Sequence, residues 1–198
     1  MKKKIELRFE LIANFLNNFF PVSKELVQHL ASISYFKEVK GGSIILKIGD
    51  RCSNVYLIKK GIVRGFVKIG NKEITSWITC ENELATSISS FFTNKISKEN
   101  IQSLEESTLL VFDNVNLDLV FKKFPEFNEV VRKILQLYYS QAEERAYITR
   151  LPRAIDKWNY LFINLNKFIH RVPLKYTASF LGIRIETLSR IRSLIIKG

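Results

Sequence analysis

The last 28 residues, RVPLKYTASFLGIRIETLSRIRSLIIKG from Arg171 to Gly198, constrain the fold more than any other segment. Counted from Leu174, a small residue, Ala178, falls at the fifth position, and Gly182 falls at the ninth. Apolar Ile183, Leu188 and Ile191 follow at inward-facing spacings. Two helices that cross steeply need a small side chain at the crossing, which Ala178 supplies. A tight turn between them needs backbone with positive φ, which glycine adopts without steric cost. Leu188, Ile191 and Ile195 then give the second helix one stripe to bury. This spacing predicts a helix-turn-helix, the unit that lays its second helix in the major groove of DNA. Glu186, Ser189 and Arg190 fall on the face left free, with Thr187 and Arg192 beside them. The plainer alternative is a helical hairpin ending in a basic surface helix.

Charge points the same way. The 198 residues carry 31 Lys and Arg against 19 Asp and Glu, a formal +12. From Arg145 onward there are eleven basic residues and only two acidic ones, Asp156 and Glu186. A basic end of this kind suits a polyanion, and helix-turn-helix spacing within it favours DNA over an anionic membrane. The Lys2-Lys3-Lys4 run reads as a solvated terminus. With 46% hydrophobic residues the chain can bury a real core. No apolar run reaches the ~20 residues of a membrane span, and the N-terminus has no signal-peptide core. Two cysteines, Cys52 and Cys80, make no disulfide framework. A cytoplasmic protein with reduced thiols and no membrane partner is expected.

Three zones follow one another. Up to about residue 36, Phe9, Ile12, Phe15, Leu16 and Phe19 recur at helical spacing. Pro21 breaks that run and Ser23 can cap a second helix through Leu26, Val27 and Leu30. From Phe36 to about Val115, short apolar runs alternate with glycine-bearing turns. The runs are Ser43–Lys47, Val55–Ile58, Val63–Ile69, Glu73–Ile78, Ile101–Leu104 and Thr108–Phe112, which predicts an all-β sandwich or barrel. Gly70-Asn71 reads as a hairpin turn. From Pro125 a helix of about six turns is expected, with Phe127, Val131, Ile134 and Tyr138 on one stripe. That stripe continues past a compact β domain, so it is expected to pair with a twin helix in a homodimer. Pro152 ends it, and a further helix, about Pro152 to Phe168, leads into the C-terminal pair.

This order of elements resembles the Crp/Fnr family of bacterial transcription regulators over nearly the whole chain. The segment FKEVKGGSIILKIGDRCSNVYLIKKGIVRGF resembles the cyclic-nucleotide-binding fold at Gly42, Gly49-Asp50 and Gly61. Gly61-x-x-Arg64 through Gly70-x-x-Glu73 to Trp77 is also similar, and RVPLKYTASFLGIRIETLSRIR is the most specific stretch. The resemblance implies an α+β chain. A jelly-roll, cyclic-nucleotide-binding-like sensor domain would take residues 1–124, and a long dimerisation helix residues 125–150. A winged-helix-like helix-turn-helix domain would take residues 151–198.

The family's effector chemistry is not carried over. A cyclic-nucleotide pocket holds the phosphate with an arginine and the ribose with a glutamate. Alignment puts Ser97 at the arginine position and Ser87 at the glutamate position, and no arginine occurs between Arg64 and Arg132. A shifted register offers Glu83 with Lys95 or Lys98, and a lysine gives only a point charge. Control by cAMP is not expected. Two cysteines are too few for an iron–sulfur sensor. His29 or Cys52 as a haem ligand, and His170, read as structural residues. No cofactor, no metal and no catalytic set is expected.

The sequence therefore predicts a dimeric regulator that binds an inverted repeat in double-stranded DNA. Glu186 and Arg190 match the family's base-reading positions, with Ser189 between them. Lys175, Tyr176, Thr187 and Arg192 are phosphate candidates, and Ala178, Gly182 and Leu188 are structural. Ile185 stands where the family commonly has another base-reading arginine. The resemblance adds RNA polymerase and an unidentified small-molecule effector as partners. The alternative is a small-molecule sensor or protein-interaction module with weak DNA binding.

Overall fold

A computed structural model describes the backbone of residues 2–164 and 169–197, and the side chains of residues 4–164 and 169–194. Two helices open the chain, α1 (Lys2–Asn17) and α2 (Lys24–Ile33). Ser23 caps α2 by accepting from Leu26 N at 3.2 Å, and its hydroxyl donates to Glu126 Oε1 at 2.7 Å, tying this cap to a distant helix.

Eight strands follow: β1 (Tyr35–Val39), β2 (Ile44–Leu46), β3 (Asn54–Lys60), β4 (Val63–Ile69), β5 (Lys72–Thr79), β6 (Leu84–Ala85), β7 (Asn100–Ser103) and β8 (Ser107–Asp113). They form two antiparallel sheets, ordered β1-β8-β3-β6 and β2-β7-β4-β5. Each of the six segments read as strands from sequence forms one. β1 and β6 add to these: β1 is mostly exposed and β6 has only 2 residues, so neither carries a strong apolar run. A short helix, α3 (Ile88–Thr93), has only 6 residues, too few to show a helical period. Gly61 turns the chain between β3 and β4 at φ +111°, and a Cβ there would run into Ser107.

Strand alternation separates two cores. On β3 and β8, Tyr56, Ile58, Leu109 and Val111 point between the sheets, where they join Val39, Leu46, Val63 and Ile101. Their neighbours Leu57, Leu110 and Phe112 point the other way. That outer face is covered by Ile12, Phe15 and Leu16 of α1, by Leu26 and Leu30 of α2, and by two later helices. These are α4 (Asn114–Lys123) and α5 (Pro125–Arg150). Asp113 caps α4 by accepting from Asn116 N at 2.9 Å, a helix-start signal carried by the sequence itself. Phe124-Pro125 separates the two helices, since a residue before proline avoids helical backbone and proline fits the first turn of the next helix.

The 26 residues of α5 correct one expectation. Phe127 and Ile134 are buried in this chain's own core, and half-buried Val131 and Tyr138 pack against the same cluster. The Tyr138 hydroxyl accepts from Leu84 N at 2.6 Å. This face is therefore not free to meet a twin. Periodicity reports that a face is buried, not what buries it. A different row stays exposed on α5: Leu135, Tyr139, Ala142 and Ala146.

Beyond Leu151, α6 (Ala154–Asn164), α7 (Leu174–Leu181) and α8 (Ile185–Lys197) pack around Ile148, Trp158, Leu161, Ala178, Leu181, Leu188 and Ile191. The expected end of α6 near Phe168 lies outside the described residues. Among the described residues no strand follows β8, so the winged form of the C-terminal unit is not seen there. His170 and Arg171 form a turn just before α7. No described helix is long and apolar enough to cross a membrane.

Candidate nucleic-acid interface

Gly182 ends α7 in left-handed backbone, φ +64°, and its N–H bonds to Ser179 O at 3.1 Å. Ile183 N then bonds to Ala178 O at 3.0 Å, so the turn takes up the carbonyls that a helix end leaves free. Ala178 is 2% exposed and Leu188 is fully buried where the two helices meet. Ile191 is buried beside them, and the Ile195 side chain lies outside the described residues.

The opposite face of α8 is bare. Glu186, Ser189 and Arg190 are exposed, and with Leu174 and Ile185 they line a shallow depression. Among the described residues Glu186 and Arg190 form no ion pair with each other, so both heads are free. Thr187 and Arg192 are half-buried, the Arg192 guanidinium lying 5.8 Å from the centre of the Trp158 ring. Lys175 is exposed, its ammonium 4.7 Å from the centre of the Tyr176 ring.

Tyr176 corrects a second expectation. Its ring is half-buried against the roll, with the guanidinium carbon of Arg64 3.6 Å from its centre. A ring so engaged does not stand out toward a DNA phosphate, and Tyr176 leaves the phosphate set.

Basic residues divide similarly. Lys157 is only 8% exposed and donates to Thr149 O at 2.8 Å and Leu181 O at 3.2 Å. It satisfies carbonyls near the C-terminal ends of α5 and α7, where a cation is favoured. Arg171 bonds to both oxygens of Glu81, at 2.7 and 2.9 Å, and to Glu105. The Arg171 hydrogen bond, more than any other influence, holds the Glu81 carboxyl down at about 2. Arg153 pairs with Asp156 at 2.7 Å. Among the described residues of this part, Arg150, Lys175, Arg184 and Arg190 remain as exposed cations without an ion pair. Sequence counting could not separate these groups, since a lysine under a helix end and one in water look alike in a charge sum.

Within the roll, Ser87 and Ser97 are each 2% exposed, and Ser97 Oγ lies 3.1 Å from Ser87 Oγ. Ser97 also donates to Glu99 O at 2.7 Å. The two positions aligned with a nucleotide-binding arginine and glutamate thus close on each other, uncharged. Lys95 and Lys98 are exposed, and Glu83 accepts from Thr79 Oγ1 and Cys80 N at 2.6 and 3.0 Å. A separate, largely apolar cavity of about 330 Å³ runs between the roll and α5, walled by Phe15, Trp77, Phe91, Phe127 and Phe180. Tyr138 and Arg145 reach it from α5. Burial pushes the Tyr138 hydroxyl well above its ordinary range and lowers the Arg145 guanidinium.

No protein-family model and no curated protein matches the sequence. Solved structures match the fold. A cyclic-nucleotide-binding domain from Methylobacillus flagellatus superposes with a TM-score of 0.65 at 18% identity, covering 76% of this chain and 89% of its own. The c-di-GMP responsive global regulator CLP of Xanthomonas campestris gives 0.69 at 14% identity, covering 88% and 92%. FixK2 from Bradyrhizobium japonicum gives 0.68 at 12% identity, covering 83% and 85%. The fold is that of cyclic-nucleotide-binding domains and Crp/Fnr-type regulators.

Proposed function

We propose that this chain is a sequence-specific DNA-binding transcription regulator that acts as a homodimer on an inverted repeat. One observation carries the reading. The apolar stripe of α8 is buried, while Glu186, Ser189 and Arg190 stand exposed and unpaired on its opposite face. Arg190 suits a bidentate bond to guanine and Glu186 suits a cytosine amino group. Lys175, Arg192, Thr187 and, as an addition, Arg184 supply contacts to phosphate. A second copy fits along Leu135, Tyr139, Ala142 and Ala146 of α5, which recur at coiled-coil spacing and are exposed. Two reading helices about 34 Å apart would then enter successive major grooves.

The same reading makes the roll a sensor that does not answer to cAMP. The Ser87–Ser97 contact leaves no cation where the cyclic phosphate would need one. An uncharged effector suits the aromatic cavity between the roll and α5. Cytoplasmic location and RNA polymerase as a partner belong to this reading as well.

The test is selection of bound duplexes from a random pool, followed by titration. An inverted repeat with two equal half-sites supports the reading. Uniform, purely salt-dependent binding to every duplex refutes it and leaves a basic surface without sequence choice.

A further inference from the structure

Arg64, on β4, is fully buried. A buried guanidinium is tolerated only where its charge and donors are met. Here Nε donates to Gln102 Oε1 at 2.9 Å, one terminal nitrogen donates to Thr75 Oγ1 at 3.1 Å, and the other pairs with Glu73. The guanidinium carbon lies 4.0 Å from the centre of the Phe66 ring and 3.6 Å from that of Tyr176. Gln102, Thr75, Glu73 and Phe66 all belong to the roll. Tyr176 belongs to α7, the first helix of the C-terminal pair.

A second attachment lies alongside. β5 is an edge strand, and an edge strand presents unpaired backbone groups. Ser179 of α7 takes two of them: its hydroxyl accepts from Thr75 N at 2.9 Å and donates to Glu73 O at 3.1 Å. A third is the fork of Arg171 on Glu81 and Glu105, just before α7. Ile62, Cys80 and Val172 fill the space among these polar contacts. The first helix is thus fixed to the roll, and Ala178, Leu181, Leu188 and Ile191 fix the second helix to the first.

We propose that this seam positions the reading helix for DNA, with Tyr176 and Ser179 as positioning residues and Arg64 as their platform. The proposal rests on the DNA-binding reading given above. While the seam is closed, Glu186, Ser189 and Arg190 remain exposed, so closure is compatible with reading bases. A full inverted repeat needs two reading helices in fixed places at once. A single half-site, or non-specific contact with phosphate, needs no such placement. Preorganisation by the seam therefore strengthens binding to the full repeat alone.

The experiment compares the full chain with its Tyr176→Ala and Ser179→Ala variants. Amide exchange is read without DNA, and affinity is read on the selected repeat, a single half-site and a scrambled duplex. In both variants the Thr75 amide is expected to exchange faster while β3 and β8 keep their protection. Affinity for the full repeat should fall about tenfold in Tyr176→Ala and less in Ser179→Ala, with half-site and scrambled affinities unchanged. Ser179→Ala removes one hydroxyl and carries the test if the larger truncation does not fold. A full repeat bound as tightly by both variants as by the wild type overturns the seam alone. A Thr75 amide that exchanges equally fast in all three proteins also overturns it. A wild type without sequence preference overturns the DNA reading and this proposal together.

Discussion

Two helices, α5 and α8, each show an apolar stripe that is plain in the sequence, and the fold treats the two differently. On α5 the stripe is packed against the roll and the N-terminal helices of the same chain. A second, less conspicuous row, Leu135 and Tyr139 with two alanines, reaches solvent among the polar residues of the outer face. On α8 the stripe is packed against α6 and α7, and Glu186, Ser189 and Arg190 reach solvent on the other side, flanked by exposed Ile185. An apolar stripe marks the attachment of a helix. The function of the helix is written on the face left over.

The largest effects test the attachments. Leu188→Ala and Ile134→Ala should each cost about 2–5 kcal/mol, since both delete buried methyl groups from packed cores. Denaturant titration reads this. A loss below about 1 kcal/mol at Ile134 would restore the twin-facing assignment of that side chain.

The next effects test the leftover faces. Arg190→Ala should lose about 1–3 kcal/mol on the preferred duplex and relax choice at one base position, with stability unchanged. Equal losses on a scrambled duplex would reduce Arg190 to a backbone contact. On α5, Leu135→Glu with Tyr139→Glu should give monomers at micromolar concentration by light scattering. The fold itself should change by no more than about 0.5 kcal/mol, as expected for exposed positions. A dimer that persists would move the interface elsewhere.

Lys175→Ala should act more mildly. It should weaken all duplexes alike and flatten the salt dependence by about one phosphate. Smallest of all at ordinary pH is the Arg171 fork. Glu81 titrates at about 2 in the folded chain instead of 4.5, so its contribution is complete above 4.5 and is lost as pH falls toward 2. Amide exchange around Val172 should be flat from pH 8 to 5 once corrected for intrinsic rates. Faster corrected exchange is expected only in acid. A transition near neutrality would point to a different group.

Much of this molecule is legible without coordinates. Six strand segments, the Ser23 cap, the helix starting at Pro125 and the turn at Gly182 all follow from rules that act over a few residues. Alternation sets a strand, a hydroxyl caps a helix, proline opens one, and glycine takes positive φ. The exposed face of α8 also follows, because burying Leu188 and Ile191 leaves Glu186 and Arg190 outward by helical geometry alone. Tertiary structure decided the rest. It turned Phe127 and Ile134 inward to the chain's own core, closed Ser87 on Ser97, and placed Tyr176 over Arg64 instead of over a phosphate. It also put Lys157 beneath two helix ends. The separations run from 8 positions, Lys157 to Thr149, to 112, Arg64 to Tyr176. No local pattern specifies such a partner, because periodicity and charge fix only which face must be covered or solvated.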